Sequence, residues 1–450
     1  FEVKIGDHCL RYHLYNNGSC NPEVDKEGKE IIPKPLFTMQ EGVLKKQFLN
    51  LAVIVAALGY FVDIYDLLLF TIVREPSLIG IHVGESDMLT ASTKIINWQM
   101  TGLLIGGILW GVMGDKKGRL SVLFGSILLY SIANFITGYV QTVEQYAWLR
   151  FVAGIGLAGE LGAGITLVSE LMPKKNRGVM TSFVAGIGLF GAVFAYAVYK
   201  MTADWRLCYK IGGVLGIALL FLRIKVSESS IFQHISKTGI SKGNIFMFFN
   251  NEKRFKKYLL AILIGLPTWY VIGILLNLGN RFAKELYGEN AIDSGACIMY
   301  GYIGIALGDI IVGLVSQYYK SRKKALTIFY GMTILGVVFF FSPLNNSDTS
   351  MYAVSFYLGF STGFWAIFVT MGAEHFGTNL RATAATTIPN MVRGALPLMN
   401  LLFKDYFQGT LHISFLQSGM LTGLIVMIIA VIALIFTEET FHKDLDFVEE

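Results

Sequence analysis

Apolar residues in this chain come in long runs separated by short polar segments. Twelve such runs lie near residues 48–73, 92–112, 120–140, 145–172, 178–200, 207–224, 257–279, 295–317, 325–342, 350–373, 383–403 and 412–436. Each is close to the length of about 20 residues that carries a helix across a bilayer core. Several are interrupted by glycine or by one polar residue, so they are not uniform lipid-facing rods. The pattern predicts an all-α membrane protein with 12 transmembrane helices. Residues 1–38 are polar and contain no apolar run, and they lack the signature of a signal peptide. Met39 stands just before the basic approach Leu44-Lys45-Lys46 to the first run, which marks 1–38 either as a non-native upstream extension or as a small cytoplasmic cap.

Composition agrees with the pattern. The chain is 54% hydrophobic and 15% charged, a balance that would leave a soluble fold with a large apolar surface. The net charge of +5 is not a nucleic-acid signal, because the basic residues sit in alternate loops. Lys116, Lys117 and Arg119 occupy one, Lys174, Lys175 and Arg177 the next alternate one, and Lys320, Arg322, Lys323 and Lys324 follow the eighth run. By the positive-inside rule this places those loops and both termini in the cytoplasm of a plasma (inner) membrane protein. Cys9, Cys20, Cys208 and Cys297 form no disulfide framework. No HExxH, GxSxG, P-loop or metal-spaced Cys/His cluster is present, so the sequence points away from an enzyme, from a cofactor and from ATP as an energy source.

The chain repeats itself. Glu170-Leu-Met-Pro-Lys-Lys-Asn-Arg177 and Glu374-His-Phe-Gly-Thr-Asn-Leu-Arg381 each end one run with a glutamate and open the next with an arginine seven residues later. Gly111-Val-Met-Gly-Asp115-Lys-Lys-Gly-Arg119 has a weaker copy in Gly313-Leu-Val-Ser-Gln-Tyr-Tyr-Lys-Ser-Arg322. Both pairs are displaced by roughly 200 residues, so six spans repeat as six spans. The expected organisation is a cytoplasmic segment 1–47, a first bundle 48–224, a basic cytoplasmic linker 225–256, a second bundle 257–436 and a cytoplasmic tail 437–450.

An ionisable side chain inside a span is costly and is therefore a functional candidate. The first run holds Asp63 and Asp66, three apart on one helix face, with Tyr60 on the same stripe. At 1.5 Å per residue Asp66 lies about 24 Å from the cytoplasmic end, in the outer half. Arg150 lies at matching depth in the fourth run, so Asp66 and Arg150 are expected to pair. A carboxylate whose arginine can be withdrawn gains and loses a proton readily. Asp63 as the carrier, or a permanent structural ion pair, are the alternatives. Glu160, among Gly156, Gly159, Gly162 and Gly164, faces the interior, as a proton relay, as a receptor for a cationic group, or as a neutral hydrogen-bonded core residue.

In the second half, Arg393 falls mid-span, three residues after Asn390. An arginine there is a receptor for a carboxylate or phosphate, or one side of a structural pair. Trp269, Tyr270 and Trp365 lie well inside their spans as packing residues or solute contacts, Asn277 is a weaker candidate, and His375 reads as a surface residue at a helix end. Asp115, Arg119, Glu170, Arg177, Glu228, Glu374 and Arg381 all fall at cytoplasmic helix ends. There they are expected to form interhelical ion pairs that latch the inner side, or to serve as topological anchors alone.

The Gly111–Arg119 hairpin resembles the loop between the second and third helices of the major facilitator superfamily of transporters. The spacing Arg150-Phe-x-x-Gly154-x-Gly156 through Glu170-x-x-Pro173-x-x-x-Arg177-Gly178 resembles two of its branches, the sugar porters and the metabolite:proton symporters. Asp63-x-Tyr65-Asp66 and Glu374-x-Phe-Gly377-x-Asn-x-Arg381-Ala-Thr383 are similar to the second branch, and Val226-Ser-Glu228-Ser is a degraded form of a motif found in both. The seventh span, Leu-Pro267-Thr-Trp269-Tyr270, lacks the paired glutamines usual in sugar porters. The resemblance implies the major facilitator fold, two pseudo-symmetric six-helix bundles with a solute site between them. It implies a proton role for Asp66 and Arg150, and a gate role for Asp115, Arg119, Glu170 and Arg177.

The expected function is proton-coupled symport of a small polar organic solute, a carboxylate or zwitterion, by a monomer in the lipid bilayer. Sodium coupling, a proton-driven exporter of a metabolite or drug-like compound, and a non-transporting solute sensor remain as alternatives.

Overall fold

The computed structural model describes residues 2–5, 8–11, 51–160, 162–164, 167, 177–224, 245–288 and 292–441. Residues 1–50 form a unit of their own. In it β1 (Glu2–Ile5) and β2 (His8–Arg11) pair antiparallel, with Val3 opposite Leu10.

The rest of the described chain is helical. In order, the helices of the spans are α1 (Leu51–Gly80), α2 (Met88–Lys117), α3 (Arg119–Thr137), α4 (Val143–Leu157), α5 (Arg177–Thr202), α6 (Trp205–Arg223), α7 (Glu252–Tyr270), α8 (Ser294–Tyr319), α9 (Arg322–Phe340), α10a (Asp348–Thr362), α10b (Trp365–Glu374), α11 (Thr378–Gly394) and α12 (Phe415–Phe436), with a short helix Gly279–Tyr287 between α7 and α8. Counting α10a and α10b as one span, these twelve coincide with the twelve apolar runs. Ten candidate spans are long and apolar enough to cross a membrane taken singly. Of the remaining two, α4 is described only in its first part, and α11 is the most polar helix, carrying Thr386, Thr387, Asn390 and Arg393. Leu128, Phe221, Leu314, Leu335, Leu424 and Ile435 stand exposed on the outside, an apolar belt that suits lipid rather than water.

Helix starts are set by side chains that satisfy the free N–H groups of the first turn. Thr142 accepts from Gln145 N–H, Asp204 from Arg206, Asn251 from Lys253 and Arg254, Asp293 from Gly295, Ser321 from Lys324 and Ser414 from Gln417. Ser347 and Ser350 form a reciprocal cap on α10a. The tight α2–α3 hairpin turns on Gly118, whose φ of 98° is readily adopted only by glycine.

Packing follows the repeat. In the first half α1 packs on α5 and α6, α2 on α4, and α3 on α6; in the second α7 packs on α11 and α12, α8 on α10a, and α9 on α12. Each pair maps onto its counterpart six helices later. The two halves meet chiefly through α2 with α11 and α5 with α8, contacts that the same six-helix exchange interconverts. Close approach is made possible by glycine at the crossing points: a Cβ on Gly102 or Gly106 would meet the α4 backbone at Phe151 and Ile155, and one on Gly304 or Gly308 would meet the α10a backbone at Phe356 and Phe360.

Three second-half helices are irregular. After Pro267, α7 runs into a π-helical turn, Val271–Leu276. The tenth span breaks at Gly363–Phe364, between α10a and α10b. Pro389 sits inside α11, which continues through Leu396–Asn400 into a π-helical stretch, Leu401–Thr410. Such irregular backbone within a membrane is tolerated where it borders protein or a cavity rather than lipid.

Candidate functional site between the two halves

A small cavity lies between the halves. Tyr60 and Ile64 of α1 and Leu189 of α5 line one side. Thr268 and Trp269 of α7, Ile272 of its π turn, Tyr302 and Ile305 of α8, Trp365 of α10b and Arg393 of α11 line the other. Tyr60 is nine residues into α1 and Tyr302 eight into α8, about 14 Å and 12 Å from the two opposite faces at 1.5 Å per residue. The cavity therefore sits near the middle of the bundle.

Of the solute contacts expected from sequence, Tyr60, Trp269, Trp365 and Arg393 line this cavity. Tyr270 does not. One residue beyond Trp269 it is turned about 100° away, and its hydroxyl donates to the Gly419 carbonyl of α12 at 2.9 Å. Asn390 is also elsewhere: its amide donates to the Ala158 carbonyl beyond α4 at 2.9 Å, and its Oδ1 accepts from Arg393 Nη1 at 3.2 Å. It fastens α11 to the first half and orients Arg393. Asn277 is buried and its amide donates back to Gly273 O at 3.3 Å.

Arg393 has the Trp365 ring 5.6 Å from its guanidinium carbon and keeps Nε without a partner. Thr268 Oγ1 and Trp365 Nε1 are likewise buried and unpartnered. Three unused donors on lining residues are costly in a low-dielectric interior unless something accepts from them.

The acidic stripe of α1 lies against this wall. Asp63 and Asp66 are fully buried, and neither carboxylate makes a hydrogen bond. The expected Asp66–Arg150 ion pair is not formed in this structure. Arg150 Nη2 donates instead to the main-chain carbonyl of Asp66 at 2.8 Å, Nε to Gln99 Oε1 at 3.2 Å, and Nη1 to Asn134 Oδ1. Gln99 is itself held by Leu67 O at 2.8 Å. Arg150 thus spends its fork on neutral acceptors. Arg150 and Asn134 still face the Asp66 carboxylate, whose other side abuts Gly212 of α6.

Glu160 is the partner of a residue that the sequence reading passed over. Arg223, at the end of α6, grips it with two bonds, Nη1 to Oε2 at 3.1 Å and Nη2 to Oε1. Both side chains are 1% exposed. Glu160 is therefore occupied by Arg223 and not open to a cationic solute here. Asp309 of α8 was missed too. Its carboxylate accepts from Ala366 N–H at 3.0 Å and so caps α10b at the break beside Trp365.

At the helix ends, Glu374 meets Arg322 at 3.3 Å and accepts from Thr440 Oγ1 at 2.6 Å. This pairing stays within the second half instead of crossing between the halves. His375 is 1% exposed, a core position and not the surface one expected. The neighbouring Glu439 accepts from the Ser321 hydroxyl and from the N–H groups of Arg322 and Lys323. Burial pushes its carboxyl up, but these bonds outweigh burial and hold it at about 2. Glu170 and Glu228 lie outside the described residues, as do the side chains of Asp115, Arg119 and Arg177.

On the face opposite the start of α1, polar contacts cross between the halves. Arg74 donates to Asn280 Oδ1 at 2.7 Å and to Ser294 Oγ at 3.3 Å. Lys200 meets Asp293 at 2.7 Å, and Asn400 donates to Asn97 at 2.7 Å. These contacts tie the two halves together at that face.

The sequence matches the Major Facilitator Superfamily over residues 49–398. A Haemophilus influenzae protein named as a metabolite transport protein is 27% identical over 354 residues, 76% of this chain and 85% of its own. The niacin transporter NiaP of Acinetobacter baylyi is 23% identical over 440 residues, 87% of this chain and 94% of its own. Among solved structures, the proton:xylose symporter XylE bound to 6-bromo-6-deoxy-D-glucose superposes with a TM-score of 0.68 at 17% identity, covering 87% of this chain and 96% of that one. The twelve spans in two exchangeable halves, the cavity between them and the sequence match together place the chain in the Major Facilitator Superfamily, as a multi-pass membrane transporter.

Proposed function

We propose that the protein is a proton-coupled symporter of a small organic carboxylate, working by alternating access. The observation that carries this reading is Arg393: a buried guanidinium on a cavity wall, with an unused Nε, beside the unused donors of Trp365 and Thr268. An arginine fork matches a carboxylate bidentately. Trp269, Trp365, Tyr60 and Tyr302 supply flat apolar faces around it, which suit a planar or ring-bearing acid. Niacin, the solute named for the Acinetobacter relative, is such a compound, a pyridine carboxylic acid. A sugar is a poorer fit, since no Asn or Gln lines the cavity among the described residues.

Coupling to protons is assigned to the acidic stripe of α1, where Asp63 and Asp66 are both buried and Asp66 faces Arg150. Basic loops put the termini and the face on which α1 begins in the cytoplasm. The opposite face, where contacts tie the halves together, then corresponds to a state sealed toward the outside. The charged helix ends at Asp115, Arg119, Glu170, Arg177, Glu228 and Arg381 are assigned to sealing the inner face in the alternate state.

The test is binding to purified protein by isothermal titration, with pyridine-3-carboxylate, its amide, other monocarboxylates and xylose as the panel. Carboxylates are expected to bind and Arg393→Gln to weaken them at least tenfold, while the amide and xylose bind poorly to both. Equal binding of the acid and its amide, or an acid affinity unchanged in Arg393→Gln, contradicts the reading.

A further inference from the structure

The middle of the bundle holds three buried acids, Asp63, Asp66 and Glu160, and three buried arginines, Arg150, Arg223 and Arg393. Two of these arginines are committed. Arg223 is locked bidentately to Glu160. Arg150 is held by Gln99, Asn134 and the Asp66 carbonyl, and faces the Asp66 carboxylate. Neither Asp63 nor Asp66 has a hydrogen-bond partner on its carboxylate, and the Nε atoms of Arg223 and Arg393 are also unpartnered; Asp66 has Arg150 facing it and Arg223 has Glu160, which leaves Asp63 and Arg393 as the acid and arginine without such a close partner. Asp309, a further acid in α8, is answered separately by the first N–H groups of α10b.

Arg393 is the charged residue that lines the cavity, from α11, and Asp63 sits on the same stretch of α1 as the lining residues Tyr60 and Ile64. Among the charged groups that face Asp63, Arg393 acts most strongly, ahead of Glu160 of the fourth span, Asp66 on its own helix and Arg223 of α6. Three tyrosines also feel its charge, Tyr60 of α1, Tyr130 of α3 and Tyr302 of α8. No ion pair joins the two side chains, so the Arg393 fork is not committed to Asp63.

We propose that the solute carboxylate and the Asp63 carboxylate compete for Arg393, so that each monocarboxylate that docks places one proton on Asp63. This rests on the reading of Arg393 as the carboxylate receptor. Without solute, Arg393 balances an ionised Asp63 across the cavity. When the solute carboxylate takes the guanidinium fork, the interior holds one anion too many, and an uncompensated buried charge costs several kcal/mol. A proton from the open side adds to a carboxylate oxygen of Asp63 and removes that excess. After the halves rock, departure of the carboxylate returns Arg393 to Asp63, which releases the proton to the other side. One anion and one proton cross together, so the cycle moves no net charge.

The experiment measures the dissociation constant of pyridine-3-carboxylate from pH 5 to 9, with proton uptake on binding followed by a pH dye in weak buffer. Wild type is expected to take up one proton per solute, with affinity falling up to tenfold per pH unit on the alkaline side. Asp63→Asn, neutral at every pH, is expected to bind with pH-independent affinity, to retain solute exchange across liposomes, and to lose accumulation driven by a pH gradient. Zero proton uptake by wild type overturns the proposal even if Asp63→Asn does not fold, and so does a tenfold-per-unit dependence that persists in Asp63→Asn. Absence of carboxylate binding to wild type at any pH, with thermal shift showing a folded protein, instead overturns the functional reading beneath it.

Discussion

Removing the carboxylate of Glu160 leaves Arg223 charged in a buried site without its partner. Both side chains are 1% exposed, the pair makes two hydrogen bonds, and a Cβ on Gly59 of α1 would strike Arg223 Nη2 and Glu160 Oε1, so α1 covers it directly. Breaking a buried pair from one side costs about 3–5 kcal/mol, whereas replacing both partners with apolar residues of similar volume is close to neutral. Glu160→Leu is therefore expected to lower the folded-to-unfolded ratio by about a hundredfold or more, at 1.4 kcal/mol per factor of ten. The double variant Glu160→Leu/Arg223→Met is expected within about 1 kcal/mol of wild type. Equilibrium unfolding of the purified protein in mixed micelles reads both, and the double-mutant cycle isolates the pair. A single variant within 1 kcal/mol of wild type, or a double variant as unstable as the single one, refutes the argument. Gly59→Ala gives an independent check, since its methyl group must part the pair or displace α1, and it too is expected to destabilise.

Three further outcomes follow from the geometry. Asp309→Ala leaves the first N–H groups of α10b without their cap and is expected to cost about 1 kcal/mol and, by letting Trp365 shift, to weaken solute binding; Asp309→Asn, which keeps an acceptor, is expected to restore most of both, as read by unfolding and titration. Arg74→Ala removes the bonds to Asn280 and Ser294 that tie α1 to the second half, so Ser294→Cys in that background is expected to react faster with a membrane-impermeant maleimide than Ser294→Cys alone; an unchanged rate counts against a closure held by Arg74. Glu439 is depressed from 4.5 to about 2, so its contribution to stability is present above its ordinary value and is lost as pH falls toward 2; the gap in melting temperature between wild type and Glu439→Gln is expected to narrow on acidification through that window.

The twelve spans were legible because a bilayer imposes one length on every crossing helix, and the run positions alone located them. Asp63, Asp66, Arg150, Glu160 and Arg393 were legible for the same reason, as charges in segments where lipid penalises charge. Arg223 was not, because at the end of an apolar run an arginine looks like an interfacial anchor; only the fold shows it turned inward onto Glu160. Trp269 and Tyr270 could not be told apart, since their facing depends on helix phase beside Pro267 and the π turn that follows. Asp309 looked unremarkable until the break at Gly363–Phe364 placed a helix start against it. Arg150 and Asp66 matched in depth, but depth does not say which atoms meet: Gln99 and Asn134 take up the guanidinium, and it reaches the backbone of Asp66 in place of its carboxylate. The repeat of Glu374 with Glu170 gave no sign of its partner, Arg322, which comes from the neighbouring helix of the same half.

The central claim is that this transporter carries a small carboxylate inward on a proton. Its most direct test is accumulation of radiolabelled pyridine-3-carboxylate in proteoliposomes under an imposed pH gradient, acid outside, with the membrane potential clamped at zero. The account predicts uptake above equilibrium that collapses when a protonophore abolishes the gradient and that is absent in Arg393→Gln. Uptake that only equilibrates, with or without the gradient, contradicts it.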